Sequence, residues 1–553
     1  MLKRLLYLIV TANFFLPEVY GQDVPEEGSG EIEERQVVID KNLEIELPEA
    51  DRNFEKVPPP PVIQSTSENL NYDVSYVDNS IIPDLTPTLR VLKIKTERPP
   101  QLYGNYVKVG IGNYISPYLA LYFNNVQSNS LSYGASAFHH SALKGPVDGR
   151  NSGDGQSELR LFGKYMTNNA TVGGSIGYNL DAYHFYGYDD GIEVDRDTLR
   201  QVFNTFKIGT TIENSNPDSD LDLKAEIKYA YKGDKFDASE NMFNANIFGY
   251  YPVTEDIGAG MDVEFDYRSY NNVLKANRNL LSFNPYATIE EGLWKIKAGF
   301  RVISNSDDRD NVRKISIFPA VTADYYLSDN LIAFALFDGN VDKVNFISIT
   351  EANPYIAQNT PIFNTIKNLE LGGGIRGTVL NNLGYKALLT FSGYKNMYFF
   401  VNDSVETNKF NVIYDDDNTT LLKFQGFLNY TIAKKYGAEL SFKYFGYGTG
   451  DLEEAWHRPK LDMGISGWYN IFEKIIVSTD FRVLSGIKAL DPNTLETISL
   501  SSSLDLNAEI NYKFSERAGA FIMLNNLLGK KYETLYRYPV RGLQVTAGVN
   551  FSF

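Results

Sequence analysis

The last eleven residues of the chain alternate between apolar and small or polar side chains without interruption. Successive side chains of a β-strand point to opposite faces, so this pattern predicts a strand with one apolar and one polar face. The apolar positions are Leu543, Val545, Ala547, Val549, Phe551 and Phe553. Such a strand is typical of an outer-membrane β-barrel, in which the apolar face contacts lipid and the polar face lines the lumen. For this segment alone, a strand of a β-sandwich is the alternative.

The same alternation recurs in earlier segments, and their charged residues keep to one face. It covers residues 221–229, 261–268, 294–298 and 504–512. A lipid-facing Arg or Lys at mid-bilayer costs roughly 2–4 kcal/mol, so the charges are expected to face the lumen. These expected lumen-facing charges are Lys224, Glu226, Lys228, Glu264, Lys295, Lys297 and Glu509. They do not discriminate between functions, because every wide barrel has a polar interior.

Short and long connecting segments alternate between the predicted strands. Residues 166–169 and 514–517 are short, whereas the longer polar connections include residues 145–156, 186–199, 339–366, 401–418 and 486–499. Outer-membrane barrels have short periplasmic turns and longer external loops. We therefore predict an all-β fold, a closed antiparallel transmembrane β-barrel of about 22 strands over residues 105–553, with 16–20 strands as the alternative. A closed barrel with both ends in the periplasm needs an even number of strands.

The composition agrees with a β-rich membrane protein. The chain contains 38 Tyr and 34 Phe against 3 Trp, which suits strands and the aromatic girdles at the two membrane surfaces. No segment has 18 uninterrupted apolar residues, so no transmembrane helix is predicted. The absence of Cys excludes disulfides, thiolate metal sites and a lipid-modified cysteine anchor. A secreted multi-domain β protein is the alternative, and the alternation favours the barrel.

The N-terminus has the layout of a secretory signal peptide. Lys3 and Arg4 precede an apolar stretch at residues 5–16, and Gly21 stands where a cleavage site is expected. We therefore predict a signal peptide over residues 1–21, with a buried N-terminal helix as the alternative. The predicted location is the outer membrane of a Gram-negative bacterium, with the N-terminal arm and the C-terminus in the periplasm. The predicted barrel would contact outer-membrane lipid.

The segment before the predicted barrel has a different character. Residues 23–56 contain twelve acidic and four basic residues, and four consecutive prolines follow at residues 58–61. We predict an acidic, Pro-rich periplasmic arm over residues 22–64, either a solvated linker or a peptide that docks a protein partner through residues 23–56. Residues 65–104 form a lead-in segment. This segment, or the long connection at residues 339–366, is a candidate filler of the lumen, because a barrel of about 22 strands is wide enough to leak.

The sequence gives no sign of catalysis, a cofactor or a metal site. The four histidines are His139, His140, His184 and His457, and ordinary strand or loop positions are expected for them. The acidic runs at residues 307–310 and 415–417 could hold a divalent cation, but exposed loops are the preferred interpretation. No nucleophile is paired with a base, so an enzyme is not expected. The net charge of −17 argues against nucleic acid as a partner.

The C-terminal region resembles the end of TonB-dependent receptors. The motifs are Asn-Asn-Leu-Leu-Gly-Lys-Lys-Tyr-Glu at residues 525–533, Tyr-Arg-Tyr-Pro-Val-Arg-Gly at residues 536–542, and the final strand ending in Phe553. Residues 106–114 and 133–140 are similar to the opening of the barrel in Bacteroidetes-type members. The resemblance implies a 22-stranded barrel. Similarity to other outer-membrane barrels implies that the barrel-assembly machinery reads Phe553, with Phe551, as an assembly signal.

The chain departs from that family at its front. A TonB-dependent receptor has a plug domain before its barrel, whereas residues 22–104 are acidic and Pro-rich with no plug-like pattern or TonB box. We therefore expect a transport- or receptor-related barrel that apparently lacks the plug and is not an autonomous energised importer. The alternatives are a structural or assembly component of an outer-membrane protein complex and a passive diffusion channel.

Overall fold

The computed structural model describes residues 104–125, 130–189, 191–273, 275–307, 314–358, 360–380 and 382–553. The predicted signal peptide, the acidic arm and all but the last residue of the lead-in segment lie outside the described residues. Within them, no helix is long and apolar enough to cross a membrane.

Twenty-two strands form one sheet, and four shorter strands form two separate hairpins. The barrel strands, numbered with all strands in chain order, are β1 (Asn105–Gly112), β2 (Ser116–Asn124), β3 (Leu131–Ala142), β4 (Asp154–Met166), β5 (Ala170–His184), β6 (Arg200–Asn214), β7 (Asp222–Gly233), β8 (Ser239–Pro252), β9 (Ile257–Asn271), β10 (Lys275–Glu291), β11 (Trp294–Asn305), β12 (Lys314–Ser328), β13 (Leu331–Asp342), β14 (Thr365–Val379), β15 (Leu383–Lys395), β18 (Thr419–Ile432), β19 (Tyr436–Gly448), β20 (Leu461–Ile471), β21 (Ile475–Ser485), β24 (Ser503–Lys513), β25 (Ala518–Asn525) and β26 (Gln544–Ser552).

The two hairpins and the short helices lie in the connections. The hairpins are β16 (Tyr398–Asn402) with β17 (Phe410–Tyr414), and β22 (Lys488–Leu490) with β23 (Thr497–Ser499). The helices are α1 (Arg196–Leu199) and α2 (Phe346–Ala352), and Gly149–Ser152 forms one 3-10 turn. Residues 401–418 and 486–499 were expected to be long polar connections, and the structure shows that both contain strands.

Each barrel strand pairs in antiparallel fashion with the next, and the last pairs with the first. The closing pair aligns Tyr106 with Ser552 and Gly112 with Thr546. Phe553 N donates to Asn105 O at 3.0 Å and Asn105 N donates to Phe553 O at 3.2 Å. The seam between β1 and β26 is therefore hydrogen-bonded up to the last residue of the chain. The prediction of a closed antiparallel 22-strand barrel is confirmed.

The two ends of the barrel differ in the length of their connections. We call the end at which β1 begins and β26 finishes the terminal end, and the opposite end the loop end. Connections at the terminal end are short, such as residues 292–293 and 472–474. The longest connections are at the loop end, at residues 343–364, 396–418, 486–502 and 526–543.

The barrel wall has an apolar exterior and a polar interior. In β26, Val549 is 54 % exposed and Phe551 is also exposed, whereas Thr546 is buried and Asn550 donates to Asn511 of β24 on the interior face of the wall. An aromatic girdle lies on the exterior at the terminal end, where ring pairs form between Trp294 and Tyr325, Tyr430 and Tyr436, Tyr436 and Tyr469, and Tyr512 and Phe514. This division is the one required of a barrel surrounded by lipid.

Candidate functional site: the loop-end cap and the polar lumen

The connection between β13 and β14, residues 343–364, folds over the inner side of the wall. Asn345 is the N-cap of helix α2, and its side chain accepts from Ser348 N while the Ser348 hydroxyl accepts from Asn345 N, a reciprocal capping box. Phe346 packs against Phe203 of β6 and Tyr270 of β9, with ring centroids 6.0 and 5.7 Å apart. The helix is therefore fixed to the wall through a buried apolar face.

A buried arginine of β10 bonds this connection to the wall. Arg278 pairs with Glu240 of β8 at 2.5 Å and lies 3.4 Å from the carboxylate of Asp307. The same guanidinium donates to the carbonyl oxygens of Val344 and Ile362 at 3.0 and 3.1 Å. One charged side chain of the wall, compensated by two carboxylates, thereby holds both ends of the connection.

A second buried arginine reinforces the first. Arg268 of β9 pairs with Asp266 at 2.6 Å and donates to Val344 O and to Asn364 Oδ1 at 2.8 and 2.9 Å. The other oxygen of Glu240 accepts from Phe346 N at 2.6 Å. We call Glu240, Arg268, Arg278 and Asp307 the latch. Removing one member of such a buried set leaves a charge without compensation, which is strongly destabilising.

The β16–β17 hairpin lies among the loop-end connections with both faces buried. Tyr398, Phe400 and Phe410 join the apolar cluster that contains α2. Phe399 on the opposite face packs in a second cluster with Trp456 of the connection between β19 and β20. Because each face has its own apolar partner, the hairpin joins two layers of loop-end connections.

His457 is buried and links its own connection, residues 449–460, to three others. Its Nδ1 lies 2.7 Å from Phe400 O and carries the proton for that bond, while Nε2 accepts from Tyr536 N at 3.3 Å. The backbone N–H of His457 donates to Lys488 O at 2.8 Å. Burial lowers the pKa of His457 to about 4, although the bond to Phe400 acts in the opposite direction. The imidazole is therefore neutral at pH 7.

Three tyrosines bring the β5–β6 and β25–β26 connections into the same cluster. Tyr355 and Tyr538 stack with ring centroids 3.8 Å apart, and Tyr186 lies 4.7 Å from Tyr538. We call the assembly of residues 343–364, 396–418, 449–460, 486–502 and 526–543 the loop-end cap. Its contacts reach β6, β9 and β10 on one side. On the opposite side Asn526 N donates to Asn507 of β24 at 2.9 Å, so the cap crosses the opening of the barrel.

Asp415 is part of the cap and is not an exposed loop residue. Its carboxylate accepts from Thr419 at 2.5 Å and from the backbone N–H groups of Gly450 and Asp451, each at 2.9 Å. Burial acts to raise the pKa of Asp415, but these hydrogen bonds outweigh it and the pKa lies below its usual range. The donors already satisfy the carboxylate, which corrects the expectation of an exposed loop at this residue. Among the described residues, no group of three His, Asp or Glu side chains could hold a metal ion.

The seven charges expected to face the lumen all lie on the strand face opposite the exposed apolar residues. Glu264 contacts Lys343 of the cap and accepts from Asn244 at 2.7 Å. Glu509 pairs with Lys108 at 2.6 Å. The other five belong to β7 and β11, where Lys228 pairs with Glu226, Lys295 pairs with Glu290, Lys297 lies over the ring of Tyr286, and Lys224 is half-buried.

The members of the latch and Lys108 were not among the residues predicted from the sequence. Arg268 is four residues from Glu264, so the alternation along the strand predicts that both side chains point to the same face, toward the lumen. Its partners Val344 and Asn364 lie 76 and 96 positions away along the chain, and no local pattern indicates them. The connection at residues 339–366, one of the two candidate fillers, does lie in the mouth, although its first four and last two residues belong to β13 and β14.

Comparisons with known proteins give structural similarity without sequence similarity. No protein-family model and no curated protein matches the chain. The FrpB iron transporter from Neisseria meningitidis (F3-3 variant) superposes with a TM-score of 0.63 at 10% identity, over 82% of both chains. The siderophore receptor PirA from Acinetobacter baumannii gives 0.62 at 11% identity, over 83% of this chain and 81% of that chain.

A third similar structure is the ferric-catecholate import receptor Fiu from E. coli K12, with a TM-score of 0.60 at 10% identity, over 83% of this chain and 82% of that chain. At this level of identity the similarity establishes the fold alone. The chain has the 22-strand barrel fold of the TonB-dependent siderophore and iron receptors, as the resemblance of its C-terminal motifs implied.

Proposed function

We propose that this chain is an outer-membrane β-barrel of the transport or receptor type whose external opening is closed by its own connections. The observation that carries the proposal is the latch, which bonds residues 343–364 to the inner wall through buried charges. An apolar exterior with an aromatic girdle supports the membrane location. The terminal end would then face the periplasm, as the short turns indicate.

We further propose that the chain is not an energised importer by itself. The support comes from the sequence, because the acidic and Pro-rich residues 22–104 have no plug-like pattern. If solute passes through the barrel, dissipating the proton-motive force is expected to leave the flux unchanged. A flux that collapses with the proton-motive force would contradict this part of the proposal.

Single-channel recording in planar bilayers tests the closed opening. The intact protein is expected to show little conductance. A variant with residues 345–362 replaced by a short Gly-Ser linker should conduct far more, and a variant with residues 216–220 of a terminal-end turn replaced in the same way should behave as the intact protein. Removing residues 65–100 as well tests whether the lead-in segment also blocks the lumen.

The second candidate function is a structural component of an outer-membrane protein complex. The observation that favours it is that both faces of the β16–β17 hairpin are buried. The cap is therefore a packed layer, and the hairpin has no exposed apolar face. Such a component is expected to retain a protein partner through residues 23–56. A wide and constant conductance of the intact protein would instead favour the passive diffusion channel.

A further inference from the structure

Basic residues are concentrated on three neighbouring turns at the terminal end. These turns join β18 to β19, β20 to β21 and β24 to β25. They contain Lys434, Lys435, Lys474, Lys513 and Arg517, all exposed, against the two acidic residues Glu473 and Glu516. The whole chain has a net charge of −17, so this local excess of positive charge is opposite in sign to the rest of the molecule.

Backbone hydrogen bonds join the three turns into one surface. Asn470 N donates to Lys435 O at 2.7 Å, and Lys513 N donates to Lys474 O at 2.8 Å. Ser552 N donates to Arg517 O at 2.7 Å, which connects the surface to the C-terminal strand. We call residues 433–435, 472–474 and 513–517 the basic arc.

Large apolar side chains stand at the tips of the same turns. Phe472 is 89 % exposed and Phe514 is also exposed. Leu380, in the next turn along the rim, is 86 % exposed. Phe472 and Leu380 have positive φ angles of 52° and 55°, a conformation that is unfavourable for residues other than Gly, Asn and Asp. A bulky apolar side chain in water is unfavourable, so its exposure favours an apolar or interfacial environment at these tips.

The tips lie close to the aromatic girdle. Phe472 follows Tyr469 of the girdle by three residues. A strand rises about 3.3 Å per residue and tilts by about 40°, so the tip is on the order of 8 Å beyond the girdle. The headgroup layer on each side of a bilayer is about 5–8 Å thick. The basic arc and its apolar tips are therefore at headgroup level and continuous with the lipid-facing surface.

The opposite side of the rim has the opposite charge. The turns between β6 and β7 and between β8 and β9 carry the exposed residues Asp218, Asp220, Glu255 and Asp256. About eleven strands, half of the circumference, separate these turns from the basic arc. An anionic membrane surface would therefore attract one side of the rim and repel the other.

We propose that the basic arc is a binding surface for anionic phospholipid headgroups in the leaflet at the terminal end. Its lysines contact headgroup phosphates, and Phe472, Phe514 and Leu380 enter the boundary between headgroups and acyl chains. Neutral lipids lack the net charge that the lysines select. The inference rests on the membrane location in the proposed function and goes beyond it by naming the lipid class and the side of the barrel that binds it.

Lipid titration with matched variants tests the charge selectivity. The purified protein is titrated in detergent with fluorescent phosphatidylglycerol or phosphatidylcholine. One basic residue near an anionic surface contributes about fivefold in affinity, so K434N/K435Q/K474Q is expected to bind phosphatidylglycerol at least tenfold more weakly than the unsubstituted protein. The control K144Q/K530Q/K531Q removes three exposed lysines at the loop end and should bind within about twofold of the unsubstituted protein. Equal losses in the two variants would overturn the proposal.

Cysteine labelling in nanodiscs tests the position of the tips, because the chain has no native Cys. In phosphatidylglycerol nanodiscs, F472C should react at least tenfold more slowly with a water-soluble maleimide than D218C on the opposite side. Equal rates would overturn the proposal. Heat-modifiable gel mobility reports barrel formation separately. A protein that forms no barrel in lipid contradicts the proposed function, whereas an inserted barrel that binds both lipids equally contradicts only this inference.

Discussion

His457 shows how a single buried side chain can make the cap sensitive to pH. In the folded protein its pKa is about 4, whereas an exposed His has a pKa of 6.5. Above pH 6.5 both states hold a neutral imidazole, and its contribution to stability is fully present. As the pH falls from 6.5 to 4, the unfolded state takes up the proton first and this contribution is lost. Protonated Nε2 would also face the N–H group of Tyr536, donor against donor.

We therefore expect the free energy of unfolding to fall by about 3 kcal/mol between pH 7 and pH 4 because of His457. The measurement is urea unfolding in lipid vesicles across this range. His457→Asn is the matched control, since Asn accepts the positive φ of 57° at this position and does not titrate. Parallel pH profiles for the two proteins would contradict the assignment.

Two neighbouring residues of β26 test which face of the strand contacts lipid. Val549 lies on the exposed apolar row, whereas Asn550 bonds to Asn511 in the interior. Val549→Arg is expected to reduce the free energy of unfolding by about 2–4 kcal/mol, because it places a charge among acyl chains. Asn550→Arg should have a much smaller effect in the same vesicle assay. Equal tolerance of the two substitutions would mean that the exterior face is not in lipid.

At the scale of elements, the latch joins β8, β9 and β10 to the connection that carries α2. Arg278→Met removes the main compensation of Glu240 and Asp307, and buried charges left unpaired in this way cost about 3–5 kcal/mol. We expect the variant to retain the barrel while residues 353–362 become accessible to protease. Glu240→Gln/Arg278→Met should recover part of the loss, because it also removes one of the unpaired charges. Protease resistance equal to that of the unsubstituted protein would show that the latch does not hold the cap.

The hairpin β16–β17 shows where prediction from the sequence stops. Barrel strands such as β7 were found because one face meets lipid and the other the lumen, which imposes a period of two. The hairpin contacts protein on both faces, so Tyr398, Phe399, Phe400 and Val401 are all apolar and the period disappears. A short apolar run fits a buried strand or a buried helix equally well. Its partners in the α2 cluster and around Trp456 are distant in sequence, so its place in the cap needs the structure.

At the scale of the whole molecule, the strand number was predictable because each crossing of an apolar layer repeats the same constraint. Charges on lipid-facing positions are penalised in every strand, so alternation accumulates over the chain and the connections mark each reversal. The cap lies outside that layer. Its stability comes from side chains such as Arg278 and His457 that meet partners from several connections. Such contacts leave no periodic signal, which is why the barrel strands were predictable, whereas residues 339–366 could be named only as a candidate filler and their contacts could not be predicted.

Phe553 matters for the whole molecule, because its backbone forms the last hydrogen-bonded pair that closes the barrel and its ring is the expected assembly signal. Its backbone bonds to Asn105 across the seam, and its ring stacks on Phe551 with centroids 5.8 Å apart. Deleting Phe553 removes both features, whereas Phe553→Ala keeps the backbone hydrogen bonds to Asn105 and removes only the aromatic ring. If the assembly machinery reads the ring, both variants should accumulate less folded protein in the outer membrane of cells, and Phe553→Tyr should accumulate normally. Folding into pure lipid vesicles, where no machinery is present, should then be nearly normal for Phe553→Ala. Normal accumulation of Phe553→Ala in cells would show that insertion does not depend on the terminal ring.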